Sequence, residues 1–481
     1  MPGQRQLIGN SFSVILGRLT QGVTSFIITA AIARSLGSQA LGQYLIGFTY
    51  YFIFMSIIAQ GFRTLFIREL SRNPSDAPIC LVSGTLLQLV ASLIGYILLC
   101  ITIFLFPYSD ETSIVCYIIG LAIIPFSLSN IPEAIMQAQE KMHLIAISTV
   151  PIYILRVGSI IWAMELGFQI NQIALIFVLS ETLILLIEWV LVLRLVQPNW
   201  RINWRFIRQT TGSVRTFLAL FAIDVLNSRR QLLILSVFGS EALVGLFGGI
   251  LQFMMPFDIV NQGVLNAVFP RLSKAASSGG NGLRRPVEQL LEVSLCLAVP
   301  YVIGLFFIGK ELLALVYQNR EFADTSIPLS LVAISLIVIA LCSPLSQALV
   351  AGGLERINLR EVIVNALIGG IISIVLISRY QLIGAALTPI ITASISLGQF
   401  AYSVHVRLFQ VNLWAVIRRP LFVGGFMLLV FMGLQQLEQD VLLKAAMATG
   451  LYSLLIIGMG IHLLGGPNIV LAKLLTKYQK S

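Results

Sequence analysis

The sequence predicts an all-α integral membrane protein of about fourteen transmembrane helices, built as two parallel-repeat six-helix lobes followed by two additional C-terminal helices. Three observations carry this. The chain of 481 residues is 57% hydrophobic and only 11% charged, against about 25% charged in a typical soluble domain. Apolar runs of about 20 residues, each long enough to cross a hydrocarbon core of roughly 30 Å, recur from end to end. The run Gly37-Ser38-Gln39-Ala40-Leu41 also returns 202 positions later as Gly239-Ser240-Glu241-Ala242-Leu243. In the same register Gly47 matches Gly249, Gln60-Gly61 matches Gln262-Gly263, and Leu70-Ser71 matches Leu272-Ser273. Apolar bias alone does not place Gly, Gln and Ser in register, so the chain reads as internally duplicated.

Taken in order, the first lobe holds spans at 11–33, 41–61, 79–106, 114–138, 143–165 and 170–196. The second holds 213–237, 242–268, 289–309, 325–352, 361–378 and 382–405, and the last two spans lie at 420–437 and 441–464. An even number of spans separates the two copies, so both enter the membrane in the same direction and the repeat is parallel. The corresponding domains are 1–212, 213–412 and 413–481. The connector from Gln197 to Phe206 mixes Trp200 and Trp204 with Arg201 and Arg205, a pattern suited to a helix lying on the inner interface. Pro125, Pro132, Pro151, Pro256 and Pro344 fall inside spans, where they free carbonyls and bend helices, as hinges or as fixed shape. Ser277 to Gly282 reads as a flexible inner loop with no Walker-type Gly-Lys-Ser/Thr after it, so no ATPase module is expected. The longest outer connection is expected at about 310–324.

The net charge of +10 is a topology signal. Most Lys and Arg fall in segments on the side that holds both termini: Arg63 to Arg72, Arg194 to Arg215, Arg271 to Arg285 and Arg407 to Arg419. Opposite loops carry Asp110, Glu111, Glu165, Glu438 and Asp440. This positive-inside pattern predicts cytoplasmic termini and a place in the cytoplasmic membrane. It also argues against a nucleic-acid partner, because the charges flank spans instead of lining one soluble module. The first apolar run has spanning length and no convincing cleavage site, so it is expected to remain as an anchor. Cys80, Cys100, Cys116, Cys296 and Cys342 lie in or beside apolar spans without metal-like spacing, and His143, His405 and His462 are scattered. Packing cysteines and no metal site are expected.

Ala33-Arg34-Ser35-Leu36-Gly37 followed by Gly42-Gln43-Tyr44, then Ala267-Val268-Phe269-Pro270-Arg271-Leu272-Ser273 and Gly384-Ala385-Ala386, run through the chain in order. In these segments it resembles the Wzx-type polysaccharide-export flippases of the multidrug/oligosaccharidyl-lipid/polysaccharide exporter superfamily. That resemblance implies two six-helix lobes around a central cavity and transport of a lipid-linked saccharide across the cytoplasmic membrane. Two positions depart from the family pattern. Arg229-Arg230 stands where many relatives pair an acid with a base, and Leu315-Val316-Tyr317-Gln318 lacks the glycine that often follows the tyrosine.

Charges inside spans are the candidate site. Each Arg or Asp at a bilayer centre costs roughly 2.5 to 3.5 kcal/mol, so Arg18, Arg156, Arg229 and Arg230 need carboxylates, carbonyls, a wet cavity or an anionic ligand. A guanidinium fork matches phosphate oxygens, which makes these four arginines substrate candidates. The alternative for Arg18 is an ion pair with Glu133 or Glu181, and for Arg156 a pairing within its own lobe. Of the adjacent Arg229 and Arg230, one is expected to point into a cavity while the other snorkels to the outer interface. Asp224, Asn227, Ser228 and Gln231 fall at i, i+3, i+4 and i+7, one helical face, suited to sugar hydroxyls or to hydrogen bonds between helices. Glu181 and Asp258 are candidates for coupling to a cation, H+ or Na+, because buried acids titrate at raised pH.

The function expected is flipping of an undecaprenyl-pyrophosphate-linked oligosaccharide from inner to outer leaflet by alternating access, for cell-surface polysaccharide synthesis. No catalytic residue is expected. Membrane lipids, and possible contacts with a glycan polymerase and glycosyltransferases, are the partners implied, with the chain acting as a monomer. Rival readings are a peptidoglycan-precursor flippase, a multidrug cation antiporter, a glycan polymerase or ligase, and a non-transporting scaffold.

Overall fold

The computed structural model describes residues 2–277 and 280–436, with residues 443, 447, 450–454 and 458 beyond them. Among the described residues every regular element is a helix. Nine of these helices are long and apolar enough to cross a membrane, or up to ten when a bent pair is taken as one span. Two of the nine, Leu19–Arg72 and Glu355–Arg407, each join two expected spans. Pro2–Met55 would reach about 80 Å as one straight rod at 1.5 Å per residue, far beyond a bilayer. It is broken at Gly37, whose φ of 85° and ψ of −177° suit a residue without Cβ. Glu355–Arg407 is broken at Gln381, with φ 45° and ψ −115°. A Cβ on Gly384 would there collide with the backbone of Leu376, so this glycine of the resemblance motif permits the return of the chain. The span expected at 441–464 lies largely outside the described residues, so the count of fourteen is not reached among them.

The described residues pack as two compact units: one runs up to Gly249 and includes Ser373–Ala385, and the other holds Ile250–Ile372 and the chain from Ala386 onward. In the first unit a core forms from Phe62, Leu65, Phe66, Leu81, Ile131, Ile135, Met136 and Val192, which ties the helices Gly61–Arg72, Ile123–Ala138 and Ile170–Leu193 together. In the second unit Ile308, Met427 and Phe431 form a smaller cluster, and Phe307 stacks on Phe431 at 5.8 Å. The cysteines Cys80, Cys116, Cys296 and Cys342 are buried as free thiols.

Three connections differ from expectation. Residues 196–203 form no helix. Helix Trp204–Phe238 begins after them, with the Asn203 side chain accepting from the Phe206 amide and the Asn203 amide donating to Ser83 Oγ at 2.9 Å. Pro198 and the local cap place the helix start there, and Trp200 and Trp204 remain exposed. The outer connection expected at 310–324 is mostly helical, because Gly280–Tyr317 continues to Tyr317 and Arg320–Ala323 is capped by Asn319. Finally, Pro256 lies at the start of Met255–Ala276, beside a 44° bend after Glu241–Gln252. The bend releases the Phe253 carbonyl, and Tyr301 Oη donates to it at 2.5 Å.

Candidate functional site

The site residues fall into three settings. Arg156, on Met142–Glu165, is 8% exposed and is ion-paired to Glu181 on Ile170–Leu193. Its guanidinium also lies 4.6 Å from the Phe177 ring centroid and 5.3 Å from that of Tyr153. Aromatic faces carry negative charge density and favour a cation placed over them. This is the pairing within the lobe that sequence left open, and it also occupies Glu181. Glu133 is occupied as well, by Arg63 at 2.5 Å. Both carboxylates considered as partners for Arg18 are therefore engaged elsewhere. The Arg18 side chain itself lies outside the described residues.

The second setting is the helix Trp204–Phe238. Asp224 and Ser228 are exposed, and Asn227 and Gln231 are part-buried, so the four do share a helical face. Arg229 and Arg230 do not divide into one inward and one snorkelling residue. The Arg229 guanidinium lies 4.2 Å from the Phe52 ring centroid. Arg230 is buried, its Nη1 donates to Asn227 Oδ1 at 3.0 Å, and its Nε has no partner. Both therefore find partners within their own unit, an aromatic ring for Arg229 and an amide oxygen for Arg230. No carboxylate pairs with either among the described residues, in contrast to Arg63 and Arg156. Among the described residues the two adjacent guanidiniums thus rest on a ring and an amide oxygen, with one buried Arg230 nitrogen left unpartnered.

Asp258 stands in the second unit, in the first turn of Met255–Ala276, exposed and with no ion pair among the described residues. The structure thus gathers the arginine pair and the polar stripe on one helix, and it leaves Asp258 in the other compact unit.

Three carboxylates were not among the residues that the sequence proposed for the site. Glu188 is fully buried, accepts from Ser148 Oγ at 3.0 Å, and has an Oε2 without partner. Glu361 is buried in the second unit and accepts from Ser403, again with one oxygen unpartnered. An acid alone in an apolar run is the signal for Glu188, but its place near the basic end of the span makes it look interfacial. Glu241 gathers the donors of the repeat itself. Gln39 and Gln43 donate to its Oε2 at 3.4 and 3.0 Å, Ser109 donates to Oε1 at 2.5 Å, and Thr112 also donates to Oε1. Gln39 and Glu241 are equivalent positions of the duplication, so the two copies meet at their own signature.

A family model described as "Polysaccharide biosynthesis protein" matches residues 31–323. The capsular polysaccharide biosynthesis protein CapF of Staphylococcus aureus is 20% identical over 412 residues, which cover 82% of this chain and 98% of that protein. Among solved structures, the lipid II flippase MurJ in an inward closed conformation matches with a TM-score of 0.75 at 16% identity, covering 95% of this chain and 99% of that one. An inward-facing multidrug resistance MATE transporter of the MOP superfamily matches with a TM-score of 0.65 at 14% identity, covering 81% and 94%. The fold is that of these multi-pass membrane transporters.

Proposed function

Because the chain belongs to the polysaccharide biosynthesis protein family, we propose that it flips a pyrophosphate-linked oligosaccharide on a polyprenyl carrier from the inner to the outer leaflet of the cytoplasmic membrane. The observation that carries this reading is the pair Arg229 and Arg230, which has no carboxylate partner among the described residues. A pyrophosphate supplies the acceptors these donors lack, since guanidinium and phosphate match in charge and in bidentate geometry. The stripe Asp224, Asn227, Ser228 and Gln231 supplies donors and acceptors for sugar hydroxyls beside it. Binding energy of this kind is available only to an anion, so a cationic drug is disfavoured at the same place. Arg18 is the third cation of the proposed site. Arg156 acts by holding Glu181 and the aromatic residues around it. Asp258 stays the coupling candidate of the second unit as an acid with no ion pair among the described residues, its exposure having removed the burial on which the sequence reading rested.

In this reading both termini are cytoplasmic, the substrate's isoprenoid tail stays in lipid, and alternating access exposes the headgroup to each side in turn. A glycan polymerase and glycosyltransferases are the partners that consume and supply such a substrate. The test is reconstitution in vesicles carrying a pyrophosphate-linked saccharide lipid. Protein-dependent exposure of the saccharide to a sugar-oxidising reagent on the opposite side is expected. Failure to move this lipid, with extrusion of a lipophilic cation instead, would overturn the reading.

A further inference from the structure

Glu188 lies in the first unit, on Ile170–Leu193, with no solvent exposure. One oxygen accepts from Ser148 Oγ at 3.0 Å, and the other has no partner. The charged and titratable groups that face it are Glu133, Arg63 and Tyr153, and Ser129 stands beside it with its own buried hydroxyl unpartnered. Arg63 is already committed to Glu133 at 2.5 Å. An ionised Glu188 would leave the trio with one uncompensated negative charge in a low-dielectric core. Burying such a charge costs several kcal/mol, whereas one hydroxyl hydrogen bond contributes about 1 kcal/mol. A proton on the free oxygen removes the charge and creates a donor where an acceptor stands idle, next to Ser129 Oγ.

We propose that Glu188 is a proton-binding site of the first unit, carrying one exchangeable proton while Arg63 and Glu133 neutralise each other beside it. Its exchange route is the ion pair. Arg63 and Glu133 keep 26% and 12% of their side chains exposed, so water reaches the pair while Glu188 stays dry. On release, the Glu188 O–H bond breaks, the proton passes to water at the exposed side, and the electron pair stays on the carboxylate. The Arg63 guanidinium then shares its charge between the two acids. Glu181 does not compete for this role in the same conformation, because Arg156 already compensates it. The site stands on geometry alone; that its proton drives flipping rests on the transport reading above.

The test is infrared difference spectroscopy of the purified full chain at neutral pH, wild type minus Glu188→Gln. The expected result is a protonated-carboxyl C=O band in the wild type, lost in Glu188→Gln, shifted down in heavy water, and shifted up in Ser148→Ala, which removes one hydrogen bond to the carboxyl. If Glu188→Gln does not fold, the upward shift in Ser148→Ala still decides. A difference spectrum with only carboxylate bands, or no response to Ser148→Ala, overturns the proposal. In vesicles, Glu188→Gln is expected to lose any acceleration of flipping by a proton gradient, and retained acceleration would contradict the proposed use of the proton. A wild type that shows the band and moves no saccharide lipid fails the transport reading and leaves the proton site standing.

Discussion

Removing Arg156 leaves Glu181 buried without its cation, while removing Arg230 strands no carboxylate, so the two buried arginines respond to substitution in opposite ways. Arg156→Ala is expected to cost about 3 to 5 kcal/mol in unfolding free energy, as for other broken buried pairs. The double variant Arg156→Met with Glu181→Leu is expected to recover most of that, because it removes both charges together. Unfolding in detergent checks both, and an undisturbed Arg156→Ala would mean that the pair is not formed. Arg230→Gln is expected to leave the unfolding transition in place or raise it. It should lower flipping by about tenfold to a hundredfold, the equivalent of one charge-assisted hydrogen bond at about 1.5 to 3 kcal/mol. The cost of charge in lipid made these arginines visible in sequence. Their partners were not visible, since Glu181 lies 25 positions beyond Arg156 and only packing decides that Arg63 takes Glu133.

Helices in the first unit come into backbone contact where the repeat signature lies. A Cβ on Gly42 would meet the Glu241 carbonyl, and one on Gly245 would meet the Ser38 carbonyl. Neither contact can be relieved by turning a side chain, because both partners are backbone. Gly245→Leu is therefore expected to push Glu241–Gln252 away and weaken the hydrogen bonds that Gln43, Ser109 and Thr112 give to Glu241. A Thr112→Cys probe, buried in the native packing, should then react several-fold faster with a membrane-impermeant thiol reagent; an unchanged rate would contradict the close approach. At the bend near Pro256, Tyr301→Phe removes the hydrogen bond that the Tyr301 hydroxyl gives to the Phe253 carbonyl. It is expected to cost about 0.5 to 1.5 kcal/mol, the net worth of one hydrogen bond, read as earlier unfolding. Apolar run length located most of these helices. It missed the helical 310–317 stretch and the extended connector before Trp204, because caps and turns are set by single residues such as Asn203 and Asn319. A single residue in a helix-breaking conformation, Gly37 or Gln381, likewise leaves almost no loop to read.

Across the whole molecule, the duplication read from Gly37 and Gly239 describes ancestry, and the compact units describe packing. The repeat divides the chain near residue 212, whereas the first compact unit continues to Gly249, because the signature helix of the second copy packs on that of the first. Chemistry departs from the repeat. Arg18 aligns with Leu220 and Ser56 with Asp258, while Arg229 and Arg230 align with the apolar Ile27 and Ile28. The matched segments thus lie in the scaffold, and the cationic residues that the proposed anion site uses have no counterpart at the aligned positions. The most direct measurement is the flipping rate of a pyrophosphate-linked saccharide lipid in vesicles, for the wild type and for Arg229→Gln combined with Arg230→Gln. The account predicts transport by the wild type and at least a tenfold loss in the double variant at equal folding and insertion; equal rates would contradict it.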